Sequence, residues 1–154
     1  MAASFDQFDL KILAALQRDA TASQRALAEE VGLSQNACWR RLKALESSGV
    51  IKARTAILDR EKLGLTFAAF MFVRTRSHSA EWLDKFRKKV RSIPEVVDFY
   101  RVSGNFDYLL KVVTRDMAHF DLVYQRLIDG IELESVTSYF AMEAIEEARP
   151  MRLS

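Results

Sequence analysis

Histidine, cysteine, proline and glycine are all scarce in these 154 residues: two, one, two and five. A lone cysteine, Cys38, excludes an intramolecular disulfide. With His78 and His119 as the only imidazoles, the chain offers no convincing ligand set for zinc, so neither a metal nor a cofactor is expected. No hydrolytic triad can be assembled either, and an enzyme is not expected. No apolar run approaches the roughly 20 residues needed to cross a bilayer, so a membrane partner is excluded. The N-terminal stretch MAASFDQFDLKI sets Asp6 and Asp9 where a signal peptide would carry basic residues and then an apolar run. A cytoplasmic, nucleoid-associated location is the expectation.

What the chain does have is an uneven distribution of charge. The formal net charge is only +2, and all of it lies in residues 1–58; the remainder is balanced. Between Ser34 and Arg54 the excess sharpens, with Arg40, Arg41, Lys43, Lys52 and Arg54 set against Glu46 alone. A basic face of this kind binds polyanions by releasing counterions.

That basic stretch coincides with a helix bounded by strong local signals. Gly32 can end one helix in the left-handed region, and Ser34 can cap the amides of the next. At helical spacing Cys38, Leu42 and Leu45 share a buried face, while Gln35, Asn36, Trp39, Arg40 and Lys43 point outward. Amides that can read base edges, cations that can hold phosphates and an exposed indole on one side of a helix are what a recognition helix needs. Asn36 and Arg40 are the candidates for base contact, with Gln35 beside them. Ser34, Arg41, Lys43, Lys52 and Arg54 are assigned to phosphates, and Trp39 to the sugar-phosphate backbone or thymine methyls. Cys38 reads as a small core residue.

Around this helix the periodicity predicts helices over 5–17 and from a Thr21 or Ser23 cap to Val31, followed by a short strand pair or wing over Val50–Leu58. The charged DREKLG of Asp59–Gly64 breaks the pattern. Beyond it come an apolar strand over 65–75, a helix over 79–91 and a strand over 96–102. A Ser103–Asp107 turn leads to a strand over 108–113, then a helix over 116–128, a last strand over 133–142 and a less ordered tail. The expected class is α+β: an N-terminal three-helix helix-turn-helix with a short wing (1–58), a linker (59–65) and a C-terminal ferredoxin-like βαββαβ domain (66–154). Apolar residues of both parities in the first strand leave an uncovered sheet face that a second copy would cover. The basic cluster Lys85, Arg87, Lys88, Lys89 and Arg91 is either a solvated helix face or a further DNA contact.

The stretches FDLKILAALQRDA, ALAEEVGLSQNACWRRLKALESSGVI, VSGNFDYLLKV and TSYFAMEAI together resemble the Lrp/AsnC, or feast/famine, family over nearly the whole length. The resemblance implies transcriptional control of double-stranded DNA, dimers that build tetramers or octamers, and an amino-acid effector bound by the C-terminal domain. Carried onto this sequence, the effector pocket falls on Val102, Gly104, Asn105, Asp107 and Tyr108 of the hairpin and on Thr137, Ser138 and Phe140 of the last strand. Gly104 can let backbone amides hold a carboxylate, and Asp107 can face an ammonium; a plain β-turn uses the same two residues. SSGVI, FAAFMFVRT, SAEWLDKF and PEVVDFYRVSG look closer to the cysteine-responsive branch, which points to L-cysteine. The alternative is a nucleoid-like architectural protein without an effector.

Overall fold

A computed structural model describes residues 5–153; the outermost ends of the two domains drawn from sequence, 1–4 and 154, lie outside it. Its elements run α1 (Gln7–Arg18), α2 (Gln24–Val31), α3 (Gln35–Ser47), β1 (Phe67–Arg74), α4 (Ala80–Arg91), β2 (Val96–Arg101), β3 (Tyr108–Thr114), α5 (Met117–Ile128) and β4 (Ser135–Phe140). None of the described helices is long and apolar enough to cross a membrane.

The chain forms two compact units. One runs up to Ile57 and is rejoined by the chain from Glu146 onward; the other is Leu58–Ile145. The tail from Glu146, which the sequence places in the 66–154 domain, clusters instead with the first unit.

In the first unit each helix start is fixed by its own residues. Asp6 caps α1, accepting from the amides of Phe8 and Asp9, while Asp9 returns a carboxylate to the Asp6 amide as a capping box. Ser23 caps α2; Thr21, the other candidate, hydrogen-bonds Asp19 instead. Gly32 stands at φ 74°, a left-handed position that an L side chain rarely adopts, and turns the chain from α2 into α3. Ile12, Ala15, Leu27, Ala28, Val31, Cys38, Leu42 and Leu45 close into one core. The strand pair expected over Val50–Leu58 is absent: the segment is extended and largely exposed, and no ladder forms in the single chain. An extended segment needs a neighbouring strand to complete its hydrogen bonds.

The second unit is an antiparallel sheet in the order β2-β3-β1-β4. That order, with α4 and α5 as the two crossovers, is the ferredoxin-like arrangement. Strand β1 pairs on both edges, which accounts for its nearly continuous apolar sequence. Ala69, Met71 and Val73 of β1 face the helices with Phe86, Val90, Val112, Phe120, Val123 and Leu127. On the other face, register lines Tyr100, Leu109, Phe72 and Thr137 into one row and Asp98, Lys111, Phe70 and Tyr139 into the next. Phe72 packs edge-on against Tyr139 and tilted against Phe106, and Tyr139 stays more than half exposed.

Candidate nucleic-acid interface and effector face

The N-terminal turn of α3 carries the proposed reading head. Ser34 Oγ accepts the amide of Ala37 at 3.3 Å, so its hydroxyl serves the helix cap. Gln35, Asn36, Trp39, Arg40 and Lys43 are all exposed along the outward face, opposite buried Cys38, Leu42 and Leu45. Trp39 leaves 47% of its surface in solvent, a large exposure for an indole. Cys38 is buried in the core, and that burial pushes its thiol pKa up, which makes it a poor nucleophile.

The cations assigned to phosphates do not share one environment. Arg41, expected to hold a phosphate, spans both carboxylates at the start of α1, donating to Asp6 Oδ2 at 2.7 Å and Asp9 Oδ1 at 2.9 Å, with Phe8 beneath it. Its guanidinium therefore ties the recognition helix to α1. The Asp6 carboxyl is held below the usual range, first by the Asp9 amide and further by Arg41. Lys43 and Arg54 both donate to Glu46, at 2.9 and 2.8 Å. The Glu46 pKa is lowered, foremost by the bond from Lys43. Lys52 is exposed beside Arg54. Sequence reasoning missed the acidic partners Asp6, Asp9 and Glu46 because each is distant from its cation in sequence or sits among ordinary helix residues.

In the second unit, alternation divides the residues assigned to an effector. Gly104 and Asn105 are exposed in the hairpin turn, with Gly104 at φ 121°, and Val102 begins the turn with its amide bonded to the Asp107 carbonyl. Thr137 lies on the helix-free face. Ser138 and Phe140 are on the opposite side of β4, and Phe140 packs on Phe67 and Phe120. Tyr108 is buried among Trp82, Phe86 and Phe99. The strand period of two separates side chains that are adjacent in sequence, so the eight residues do not converge on one surface. Asp107 is committed to tying the hairpin turn to the end of β1: its carboxylate accepts the buried amide of Thr75 at 2.8 Å, and its own amide donates to the Val73 carbonyl.

Two further features escaped the sequence. A cavity of about 640 Å³ opens between residues 75–77 and 131–134, where Trp82 Nε1 donates to the Glu132 carbonyl and Glu134 pairs with Arg74 and Arg76. At the start of β2, Glu95 accepts from both Arg126 and His119. His119 is therefore half-buried and engaged with a carboxylate.

Two domain families match this architecture. Residues 5–52 fit the "Winged helix-turn-helix DNA-binding" family and residues 68–151 the "Lrp/AsnC ligand binding domain". The chain belongs to the Lrp/AsnC family of transcriptional regulators. It is similar to the glutamate uptake regulatory protein of Zymomonas mobilis, 44% identical over 96% of this chain and 90% of that protein. Among solved structures, an AsnC family transcriptional regulator from Agrobacterium tumefaciens superposes with a TM-score of 0.92 at 47% identity, covering 96% of this chain and 97% of that one. The regulator NMB0573 of Neisseria meningitidis, solved as a complex with L-Met, gives 0.87 at 32% identity with the same coverage. This Lrp/AsnC member is thus a transcriptional regulator rather than an enzyme, with a DNA-binding domain joined to a ligand-binding domain.

Proposed function

We propose that the protein is a sequence-specific regulator that reads duplex DNA with α3 and responds to a small amino acid, L-cysteine being the first candidate, through its C-terminal domain. The observation that carries the reading is the exposed set Gln35, Asn36, Trp39 and Arg40 on one face of a capped helix. Base-reading amides and a cation at the start of a helix fit the major groove. Lys52 holds phosphate, Lys43 and Arg54 do so once released from Glu46, and Arg41 positions the helix. Regulation takes place in the cytoplasm, on the nucleoid.

The effector reading rests on the helix-free side of the sheet and the hairpin turn. Gly104, at a φ that glycine tolerates, and exposed Asn105 present polar backbone there, with Thr137 on the same side as Phe72. The same face supports homo-oligomers: Phe70, Phe72, Leu109 and Tyr139 make an apolar surface that self-pairing would bury. An effector acts by binding one assembly more tightly than another. Relatives named for glutamate uptake and solved with L-Met support an amino acid as the ligand class.

The test is a fluorescence-anisotropy titration against the protein's own upstream DNA and a scrambled duplex at fixed salt, with L-cysteine, L-methionine, L-glutamate or no addition. Preference for the upstream duplex that shifts with cysteine is the expected result. Equal affinity for both duplexes overturns sequence-specific reading, and a shift with another amino acid alone reassigns the effector.

A further inference from the structure

The chain from Glu146 onward reads in sequence as a loose tail, yet it packs into the DNA-binding unit. It borders a groove of about 420 Å³, which Met151 and Leu153 of the tail line together with Leu13, Leu16, Ala20, Ile51 and Ile57. At the groove Gln17 engages the tail backbone from both sides. Its Nε2 donates to the Met151 carbonyl at 3.1 Å, and its Oε1 accepts the Met151 amide at 2.8 Å. A primary amide presents one donor side and one acceptor side, which together match the N–H and C=O of a single extended residue. The Met151 side chain is 73% exposed, so recognition there is of backbone, whereas Leu153 is partly buried. Pro150 restricts the backbone just before the clamped residue and lowers the entropy lost on docking.

We propose that the DNA-binding unit is a peptide receptor for the chain's own C-terminal segment, Pro150–Leu153, with Gln17 reading the Met151 backbone and the apolar groove holding Leu153. The chain passes from one compact unit to the other at Ile57–Leu58 and back at Ile145–Glu146. Docking therefore adds a second tether. It also covers the C-terminal part of α1, whose N-terminal end clamps Arg41 of the recognition helix. Tail release loosens α1, and through α1 the helix that reads DNA.

The experiment compares the full chain, a form ending at Arg149, and the full-length variants Gln17→Ala and Met151→Pro, the last of which deletes the amide that Gln17 accepts. Hydrogen exchange of α1 and of residues 50–57 is followed with and without a synthetic peptide of residues 146–154. Faster exchange in all three altered forms is expected, with added peptide restoring protection to the truncated protein and Gln17→Ala weakening peptide binding about fivefold or more. If truncation fails to yield folded protein, the two point variants carry the same comparison. Unchanged exchange in both point variants overturns the proposal. Protection that is lost on dilution would assign the docked tail to a second copy and overturn docking within one chain.

Discussion

Arg41 and Asp9 meet at 2.9 Å, joining the recognition helix to the first turn of α1 across 32 positions of sequence. Arg40, one residue earlier, is exposed on the outward face. These neighbours should fail differently. Arg40→Ala is expected to weaken binding to the upstream duplex about tenfold or more while leaving thermal unfolding and assembly unchanged. Arg41→Ala should lower the melting temperature of the DNA-binding unit. Circular-dichroism melts beside anisotropy titrations check the division; equal melting curves for Arg41→Ala and wild type would refute it.

Glu46 pairs with both Lys43 and Arg54, and under the proposed phosphate role it competes with DNA for them. Glu46→Gln removes the competing charge, so affinity should rise by about three- to tenfold and the salt slope should steepen by up to about 2, since each extra phosphate contact adds about 0.9. Titrations at four salt concentrations measure both. A weaker complex in the variant would count against phosphate contacts from these cations.

Asp107 has two possible duties that a pair of substitutions separates. Asp107→Ala leaves the buried Thr75 amide without its acceptor, at a cost of about 1–3 kcal/mol in urea unfolding. Asp107→Asn keeps an acceptor oxygen and removes only the charge. If Asp107 also faces an effector ammonium, the Asn variant stays stable but loses the effector response and keeps its DNA affinity without effector. A normal response from a stable Asn variant restricts Asp107 to the hairpin.

Stability of the sheet domain should depend on acid through Glu95. Burial alone would raise its pKa; bonds from Arg126, its own amide and His119 outweigh burial and lower it from the ordinary 4.5. A carboxyl with a depressed folded value contributes stability above its unfolded value, and that contribution disappears as pH falls through the folded one. Glu95→Gln should therefore be less stable than wild type at pH 7, and the gap should narrow below about pH 4. Urea unfolding at both pH values decides it, and a gap that widens in acid refutes the assignment.

The parts legible in sequence are those fixed within one or two helical turns. Ser23, Ser34 and Gly32 announce helix ends because caps and left-handed turns depend on neighbouring residues. The outward set on α3 follows from a period of 3.6, and the βαββαβ order from alternating strands and helices. Helix starts drift by a residue or two because Ser79 and Asp116 cap α4 and α5 from outside.

Periodicity could not rank the two faces of a strand. A period of two already puts Thr137 and Phe140 on opposite sides, but only pairing with β1 decides that Phe140 meets the helices and Thr137 the open face. Tyr108, adjacent to the turn in sequence, belongs to an aromatic core assembled from α4 and β2. For the wing, β-branched residues suggest a strand, but strand hydrogen bonds require a partner that the single chain does not supply.

The sequence by itself determined the five helices and four sheet strands, their order and the face of α3 that meets solvent, since each depends on local geometry and on the pattern of apolar residues. Tertiary structure alone decided which charges are engaged and where the tail goes. Arg41 finds Asp6 from 35 positions away, and Gln17 finds Met151 from 134. Such pairs form only after packing has closed the intervening loops, and no local pattern records which distant groups that closure will bring together.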